Sequence, residues 1–227
     1  MLFLVLGRGK TGSLVAKVAH EHGHGVRVVG EEENRNAAAL TAPFLAGFDA
    51  VIDFTTPEAV IPNMRACLAN GAHMVVGTTG WYKHLDDMRS LAARRGAGFL
   101  YGTNFSVGVQ AMLRVAAELA KSAPHYKFTI AETHHADKKD VPSGTAISIQ
   151  QALKAANPAI DAEIVSKREG DAAGIHVIEA RSSSDVIELK HESFSRRGFA
   201  EGAVRAAEWI QGKTGVWEFS TIASQIS

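Results

Sequence analysis

The strongest constraint on the chain lies in its first dozen residues, where an apolar run, Leu2-Phe3-Leu4-Val5-Leu6, passes directly into Gly7-Arg8-Gly9-Lys10-Thr11-Gly12. Such a run reads as a buried strand, and the residues after it carry apolar positions at helical spacing, so the glycines fall in a strand–turn–helix. Gly7 permits a tight turn, Gly9 lets a pyrophosphate approach the backbone, and Gly12 lets the helix pack closely on a sheet. The helix N-terminus then faces the anion. Gly7, Gly9, Lys10, Thr11 and Gly12 are therefore expected to bind a dinucleotide; a glycine-rich turn with no ligand is the alternative.

The same alternation continues through the first half. Short apolar runs at Val26-Arg27-Val28-Val29, Ala50-Val51-Ile52-Asp53-Phe54, His73-Met74-Val75-Val76 and Gly98-Phe99-Leu100-Tyr101 are separated by helix-length stretches at 13–22, 57–70 and 85–95. Repeated βα units predict an α/β fold, a Rossmann-type parallel sheet with helices on both faces. After Asn104 the pattern changes to a helix over about 109–122 followed by strands near 127–132, 163–167, 174–180 and 185–191, an α+β arrangement. We expect a dinucleotide-binding domain over 1–104, an α+β substrate-binding and oligomerisation domain over 105–204, and a final helix in 205–227 packing back on the first domain.

Lys plus Arg and Asp plus Glu are 24 each, so no global field draws the chain to nucleic acid or to a membrane. Cys67 is the single cysteine, which excludes an intramolecular disulfide and a Cys-based zinc site and fits a reducing, cytoplasmic setting. The apolar run before Gly7 is too short for a signal-peptide core or a membrane span.

Three acids, Glu31-Glu32-Glu33, end the second strand where a carboxylate would accept hydrogen bonds from the adenosine ribose. Glu31 is the first choice and Glu33 the second. An acid there repels a 2′-phosphate, but Lys10 and Arg35 offset the repulsion, so NADH and NADPH both remain open as the cofactor. Gly77-Thr78-Thr79-Gly80, beyond the fourth strand, would let a nicotinamide ribose and amide lie against the backbone; a plain turn explains its two glycines equally well.

The densest chemistry is Glu132-Thr133-His134-His135-Ala136-Asp137-Lys138-Lys139-Asp140-Val141-Pro142-Ser143-Gly144-Thr145. Ser143-Gly144-Thr145 opens an apolar helix with Pro142 suited to its first turn, and such a helix end binds a carboxylate. Adjacent histidines on an extended segment point to opposite sides, and the two lysines beside them repel a cation. No metal is therefore expected, and the bunched ionisable groups point to acid–base work rather than to packing alone.

This segment resembles the dihydrodipicolinate reductase signature E-x-H-H-x-x-K-x-D-A-P-S-G-T, with Val141 in place of Ala. Asp53-Phe54-Thr55 with Pro57, Gly77 to Gly80, Asn104-Phe105-Ser106-Val107-Gly108-Val109, Gly174-Ile175-His176 and Ser195-Arg196 to Ala203 follow in family order. The resemblance implies hydride transfer from a nicotinamide to ring C4 of a cyclic dicarboxylate, with the 4-hydroxyl lost as water. It makes His134 the acid–base residue and Lys138 the proton donor. His135, Lys138, Ser143, Gly144, Thr145 and Arg196 would hold the substrate; Gly77, Thr78, Thr79, Asn104 and Phe105 would meet the nicotinamide half of the cofactor, with closure about Phe105. One departure stands out: Arg181 to Ser184 runs straight into Asp185-Val186-Ile187, about one hairpin short of the family pattern. The family's tetramer is built on that sheet, so a homo-oligomer smaller than a tetramer, a dimer, is expected. A different reductase sharing only the cofactor half, or a nucleotide-binding protein without catalysis, would also carry the glycine motif.

Overall fold

The computed structural model describes residues 1–226. It divides the chain into two compact units, Met1–Val107 together with the chain from Arg197 onward, and Gly108–Arg196. The first unit opens with β1 (Leu2–Leu6), α1 (Lys10–Glu21), β2 (Gly25–Val29), α2 (Ala42–Leu45), β3 (Ala50–Asp53), α3 (Pro57–Ala69), β4 (Met74–Val76), α4 (Leu85–Arg95) and β5 (Gly98–Tyr101). The next elements are α5 (Val107–Ser122), β6 (Lys127–His134), α6 (Gly144–Ala156), β7 (Glu163–Arg168), β8 (Gly174–Arg181) and β9 (Val186–Ser193). The chain ends with α7 (Arg197–Trp209), β10 (Gly215–Glu218) and α8 (Phe219–Ile222).

The first sheet runs β10-β5-β4-β3-β1-β2 with every pairing parallel. Its strands are apolar at consecutive positions because both faces are covered. Phe3 and Val5 join a core with Val15 and Val18 of α1 and Ala203 and Val204 of α7. Leu4 and Leu6, one residue out of phase, join the opposite core with Met64 of α3 and Met88 of α4. Each such fully buried side chain contributes about 1.5–3 kcal/mol. The small residues of α7 have a steric cause: a Cβ on Gly202 would fall 1.8 Å from the Phe105 carbonyl oxygen.

The C-terminal segment departs from expectation. The helix ends at Trp209, and residues 205–227 are not a single helix: Val216 and Trp217 pair with Phe99 and Leu100 as β10. Four residues are too few for a period to show, and the strand forms because it closes the edge of the sheet beside β5. The return to the first unit also comes at Arg197, ahead of the expected position 205, and the second unit starts at Gly108, three residues after the expected 105.

The second unit is a mixed sheet, β7-β6-β8-β9, in which β7 runs parallel to β6 and the other pairs are antiparallel. Along β6, burial alternates strictly, so Phe128, Ile130, Glu132 and His134 share one face. Phe128 and Ile130 pack on Met112 and Ala116 of α5 and Ile149 and Leu153 of α6. Glu132 and His134 continue the same buried row beyond that core.

Candidate active site

Strand register assembles the site in the second unit. Glu132 lies opposite Ser166 of β7 and His176 of β8, and His134 lies opposite Arg168. Glu132 is 1% exposed, and its Oε1 accepts hydrogen bonds from the Ser143 amide at 3.0 Å, the Ser166 hydroxyl at 2.7 Å and Arg168 Nη2 at 2.9 Å. Burial would raise this carboxyl's pKa, but the bonds from Ser143, Ser166 and Arg168 outweigh it and bring the value down to about 2. Glu132 is therefore a fixed negative charge.

Its second oxygen faces two imidazoles, His134 Nδ1 at 3.3 Å and His176 Nε2 at 3.8 Å. Burial pushes His134 below its ordinary value; Glu132 opposes this, and Lys138 and Arg168 reinforce it. His176 is brought down to about 4, first by burial and then by His134. Near neutral pH both rings are neutral. The Ser143 hydroxyl caps α6 by accepting from the Ala146 amide at 3.2 Å and sits 3.1 Å from His176 Nε2. A serine hydroxyl has one proton and two acceptor lone pairs, so the Ser143–His176 bond runs in either direction according to the ring's tautomer.

Glycine at 174 leaves the same cluster room, because its φ is +159° and a Cβ there would crowd His134 Nε2 at 3.0 Å. The loop after β6 is tied down by the His135 amide bonding the Ala172 carbonyl at 2.8 Å and by Arg168 Nη2 bonding the Asp140 carbonyl at 2.6 Å. Lys138 Nζ forks onto both Asp140 oxygens at 2.7 and 2.9 Å, and that contact holds the Asp140 carboxyl below its usual range. Glu132, His134 and His176 also have the spacing of a metal ligand set. Arg168 already neutralises that carboxylate, and Lys138 adds further positive charge, so the donor set favours a proton-handling cluster over a cation site.

The first unit carries a cleft of about 480 Å³ at the carboxyl ends of β1 and β2, lined by Gly7, Gly9, Glu31, Arg35, Phe54 and Thr55 among others. Gly7 adopts φ +103°, and a Cβ there would lie 2.3 Å from the Phe54 carbonyl oxygen. A Cβ on Gly12 would lie 2.2 Å from the Gly7 carbonyl oxygen. Around Gly9, which starts α1 without a side-chain cap, a Cβ would meet nothing within 4 Å. The chain itself thus explains Gly7 and Gly12, whereas the open backbone at Gly9 and the uncapped helix end fit a dinucleotide pyrophosphate.

Comparison with known proteins identifies both units. Residues 1–105 match the family model "Dihydrodipicolinate reductase, N-terminus" and residues 108–222 match "Dihydrodipicolinate reductase, C-terminus". The chain belongs to the dihydrodipicolinate reductase family. It is 31% identical to the 4-hydroxy-tetrahydrodipicolinate reductase of Christiangramia forsetii, covering 100% of this chain and 99% of that one. It is 36% identical to that of Natronomonas pharaonis over 92% and 94% of the two chains. Among solved structures, dipicolinate-bound dihydrodipicolinate reductase from Paenisporosarcina sp. TG-14 superposes with a TM-score of 0.83 at 23% identity, over 98% and 99% of the chains. As a family member the chain is an NAD(P)H-dependent oxidoreductase of lysine and diaminopimelate biosynthesis.

The reductase places its predicted residues unevenly. His134, Lys138 and Ser143 belong to the Glu132 cluster and its loop, and Gly144 and Thr145 form the first turn of α6. Pro142 lies outside that turn, before the Ser143 cap, with a cis Val141–Pro142 bond. Arg196 is exposed at the last position of the second unit. Gly7, Gly9 and Glu31 line the cleft; Lys10 and Thr11 open α1. Glu33 is drawn away by Arg8, by Arg27 at 3.6 Å and by the Gly30 amide at 3.1 Å.

Several of the residues expected at the nicotinamide half also have structural contacts of their own. A Cβ on Gly77 would meet the Phe54 ring at 2.1 Å, which accounts for this glycine without a ligand. The Thr78 hydroxyl donates to the buried Asp53 carboxylate at 2.8 Å and accepts from the Thr55 amide at 2.8 Å. Asp53 also takes bonds from Thr55 Oγ1 and Asn63 Nδ2. Its pKa is raised, because burial exceeds the lowering by Thr55, Asn63 and Thr78. Phe105 is 2% exposed, its ring centroid 4.6 Å from that of Phe219 and 6.0 Å from that of Phe54. Asn104 accepts from the Ser106 amide at 2.8 Å, while Thr79 keeps its place between the two glycines of the loop after β4.

Four residues of the cluster were not foreseen as site members: Glu132 as its hub, Ser166, Arg168 and His176. Gly174-Ile175-His176 carried a signal, since alternate residues of a strand share a face. Ser166 and Arg168 carried none, because only strand register brings them to Glu132.

Proposed function

We propose that the chain reduces 4-hydroxy-tetrahydrodipicolinate to tetrahydrodipicolinate, its family's reaction, with His134 and Lys138 at the reacting ring and the N-terminus of α6 holding the carboxylates. The observation that carries this reading is the buried Glu132 carboxylate, which bonds the α6 cap through one oxygen and sets the other beside His134 and His176. Bound NADH or NADPH supplies the hydride.

The residues divide the remaining work by charge. Neutral His134 is not a store of an extra proton near neutral pH, so it orients the ring and accepts or relays a proton through its imidazole. Lys138 is the cationic member and protonates the departing 4-hydroxyl, with Asp140 holding its ammonium in place. The amides of Gly144 and Thr145, with the helix dipole, take one substrate carboxylate, an effect of about 0.3–1 kcal/mol for the dipole alone. His135 and Arg196 supply further contacts to the substrate. Ser143 acts mainly through His176 and the cap.

On the cofactor side, Gly9, Lys10 and Thr11 receive the pyrophosphate and Glu31 the ribose hydroxyls, since Glu33 is engaged by Arg8 and Arg27. Arg35 on the cleft wall offers a 2′-phosphate a positive charge, so both cofactors are used. Gly77, Thr79, Asn104 and Phe105 meet the nicotinamide half through their backbones. The protein is a cytoplasmic dimer. The helices of the second unit cover only one face of its sheet, and the other face presents Val165, Val177 and Ile175. Among the described residues no helix is long and apolar enough to cross a membrane.

Chemically generated substrate mixed with the protein and either cofactor tests the reading by loss of NAD(P)H absorbance. Turnover with both is expected, and His134→Gln should depress kcat by about 100-fold or more while leaving cofactor affinity nearly unchanged. Cofactor binding without turnover on the cyclic dicarboxylate would refute the reading.

A further inference from the structure

At the far end of α1 from the cofactor cleft, the sequence His20-Glu21-His22-Gly23-His24 places three histidines within five residues. Short histidine-rich tracts are a compositional mark of metal binding. Here the fold selects two of them. His22 caps α1, and Gly23, at φ +81°, turns the chain so that His22 and His24 both reach toward Glu208 in the last turn of α7. Glu208 Oε1 lies 2.7 Å from His24 Nε2 and 3.6 Å from His22 Nδ1, and the three donor atoms all fall within 4.8 Å of one another. All three residues belong to the first unit.

We propose that His22, His24 and Glu208 bind a divalent transition-metal ion of the zinc class. Two imidazoles and one carboxylate are a recurrent zinc donor set, and Zn–ligand distances of about 2.0–2.1 Å put tetrahedral donor atoms roughly 3.3 Å apart. The observed 2.7 and 3.6 Å bracket that spacing and all three donor atoms lie within 4.8 Å of one another, so side-chain rotations that bring the two rings to a common point would centre an ion. A hydrogen-bonded pair would account for His24 and Glu208 but not for His22, whose Nδ1 is aimed at the same oxygen from beyond hydrogen-bond range.

The surroundings favour this geometry. The His24 ring lies against Phe3, centroids 4.7 Å apart, and its other nitrogen faces the Met1 amine at 3.5 Å, which leaves Nε2 as the metal-facing atom. Side-chain exposures of 29% for His22, 12% for His24 and 34% for Glu208 leave the ion's remaining position open to water. Neighbouring charges are otherwise engaged: Glu21 with Arg197, and Lys213 over the Trp209 ring. The ion would tie the turn between α1 and β2 to α7, closing a long loop of chain and stabilising the folded unit. It would sit about 18 Å of helix from the cleft, at 1.5 Å per residue, so it supports structure rather than turnover.

The full-length protein, stripped with chelator, is titrated calorimetrically with Zn²⁺ and scanned for thermal stability with and without it. We expect one ion per chain, a rise in Tm on loading, and at least about tenfold weaker binding with no Tm rise in His22→Ala and Glu208→Gln. His20→Ala should bind as the parent does, and none of the three substitutions should alter kcat. Glu208→Gln keeps its size, and His22 is partly exposed, so chelator-treated variants that match the parent's Tm show that folding is intact. The proposal fails if both variants bind Zn²⁺ like the parent. It also fails if tight binding is lost only on His176→Ala with Zn²⁺ inhibiting turnover, which would put the ion at the Glu132 cluster, or if the parent binds none at micromolar concentration.

Discussion

Replacing Glu132 by Gln keeps the shape of the hub and removes its charge. The carboxyl has a folded pKa of about 2 against an ordinary 4.5. That difference of roughly 2.5 units corresponds to about 3 kcal/mol favouring the charged folded form, and 1% exposure leaves little solvent screening to reduce it. Because the folded pKa is depressed, the contribution is complete above the unfolded value and is lost as pH falls toward the folded one. At about pH 3, roughly 2 of those 3 kcal/mol have gone. Removing the charge also leaves the Arg168 guanidinium, 16% exposed, without its ionic partner.

Glu132→Gln should therefore lower unfolding stability by about 3 kcal/mol at neutral pH and by only about 1 kcal/mol near pH 3. Urea titrations of parent and variant across that range, following the transition of the second unit, measure both. A variant as stable as the parent at neutral pH, or a deficit that does not shrink on acidification, would show that Glu132 is not the charged hub described here.

Gly174→Ala places a methyl 3.0 Å from His134 Nε2, so kcat should fall about tenfold or more with cofactor affinity unchanged; steady-state kinetics with nucleotide titration decide it. Glu31→Ala should weaken NADH more than NADPH, measured by fluorescence titration, and an unchanged NADH affinity would move the ribose contact to Glu33. Light scattering should return the mass of a dimer, and a tetramer's mass would refute the proposed assembly.

Much of the first unit was legible because its constraints are local. An apolar run, a glycine turn and a helix are set by neighbours in sequence, and Gly7, Gly9 and Gly12 showed the fold before any long-range contact was known. Local signals also left out part of the cause: Gly77 and Thr78 stood out as a turn, but that the Phe54 ring and the Asp53 carboxylate, contributed by another strand end, pack and bond against them depends on long-range contacts. Strand β10 was hidden because four residues carry no usable period and its reason for being a strand is the free edge of β5.

The sequence by itself determined most of the kinds of element, the glycine turn between β1 and α1, and the presence of His134, Lys138 and Ser143 near one another along the chain, since all of these depend on short-range spacing. Only the tertiary structure decided that Glu132 lies at the centre of the cluster. A carboxylate's charge and a histidine's protonation depend on burial and on the donors around them, and Ser166, Arg168 and His176 arrive from other strands through register. The same holds for His22, His24 and Glu208, which share a surface only because α7 packs against α1.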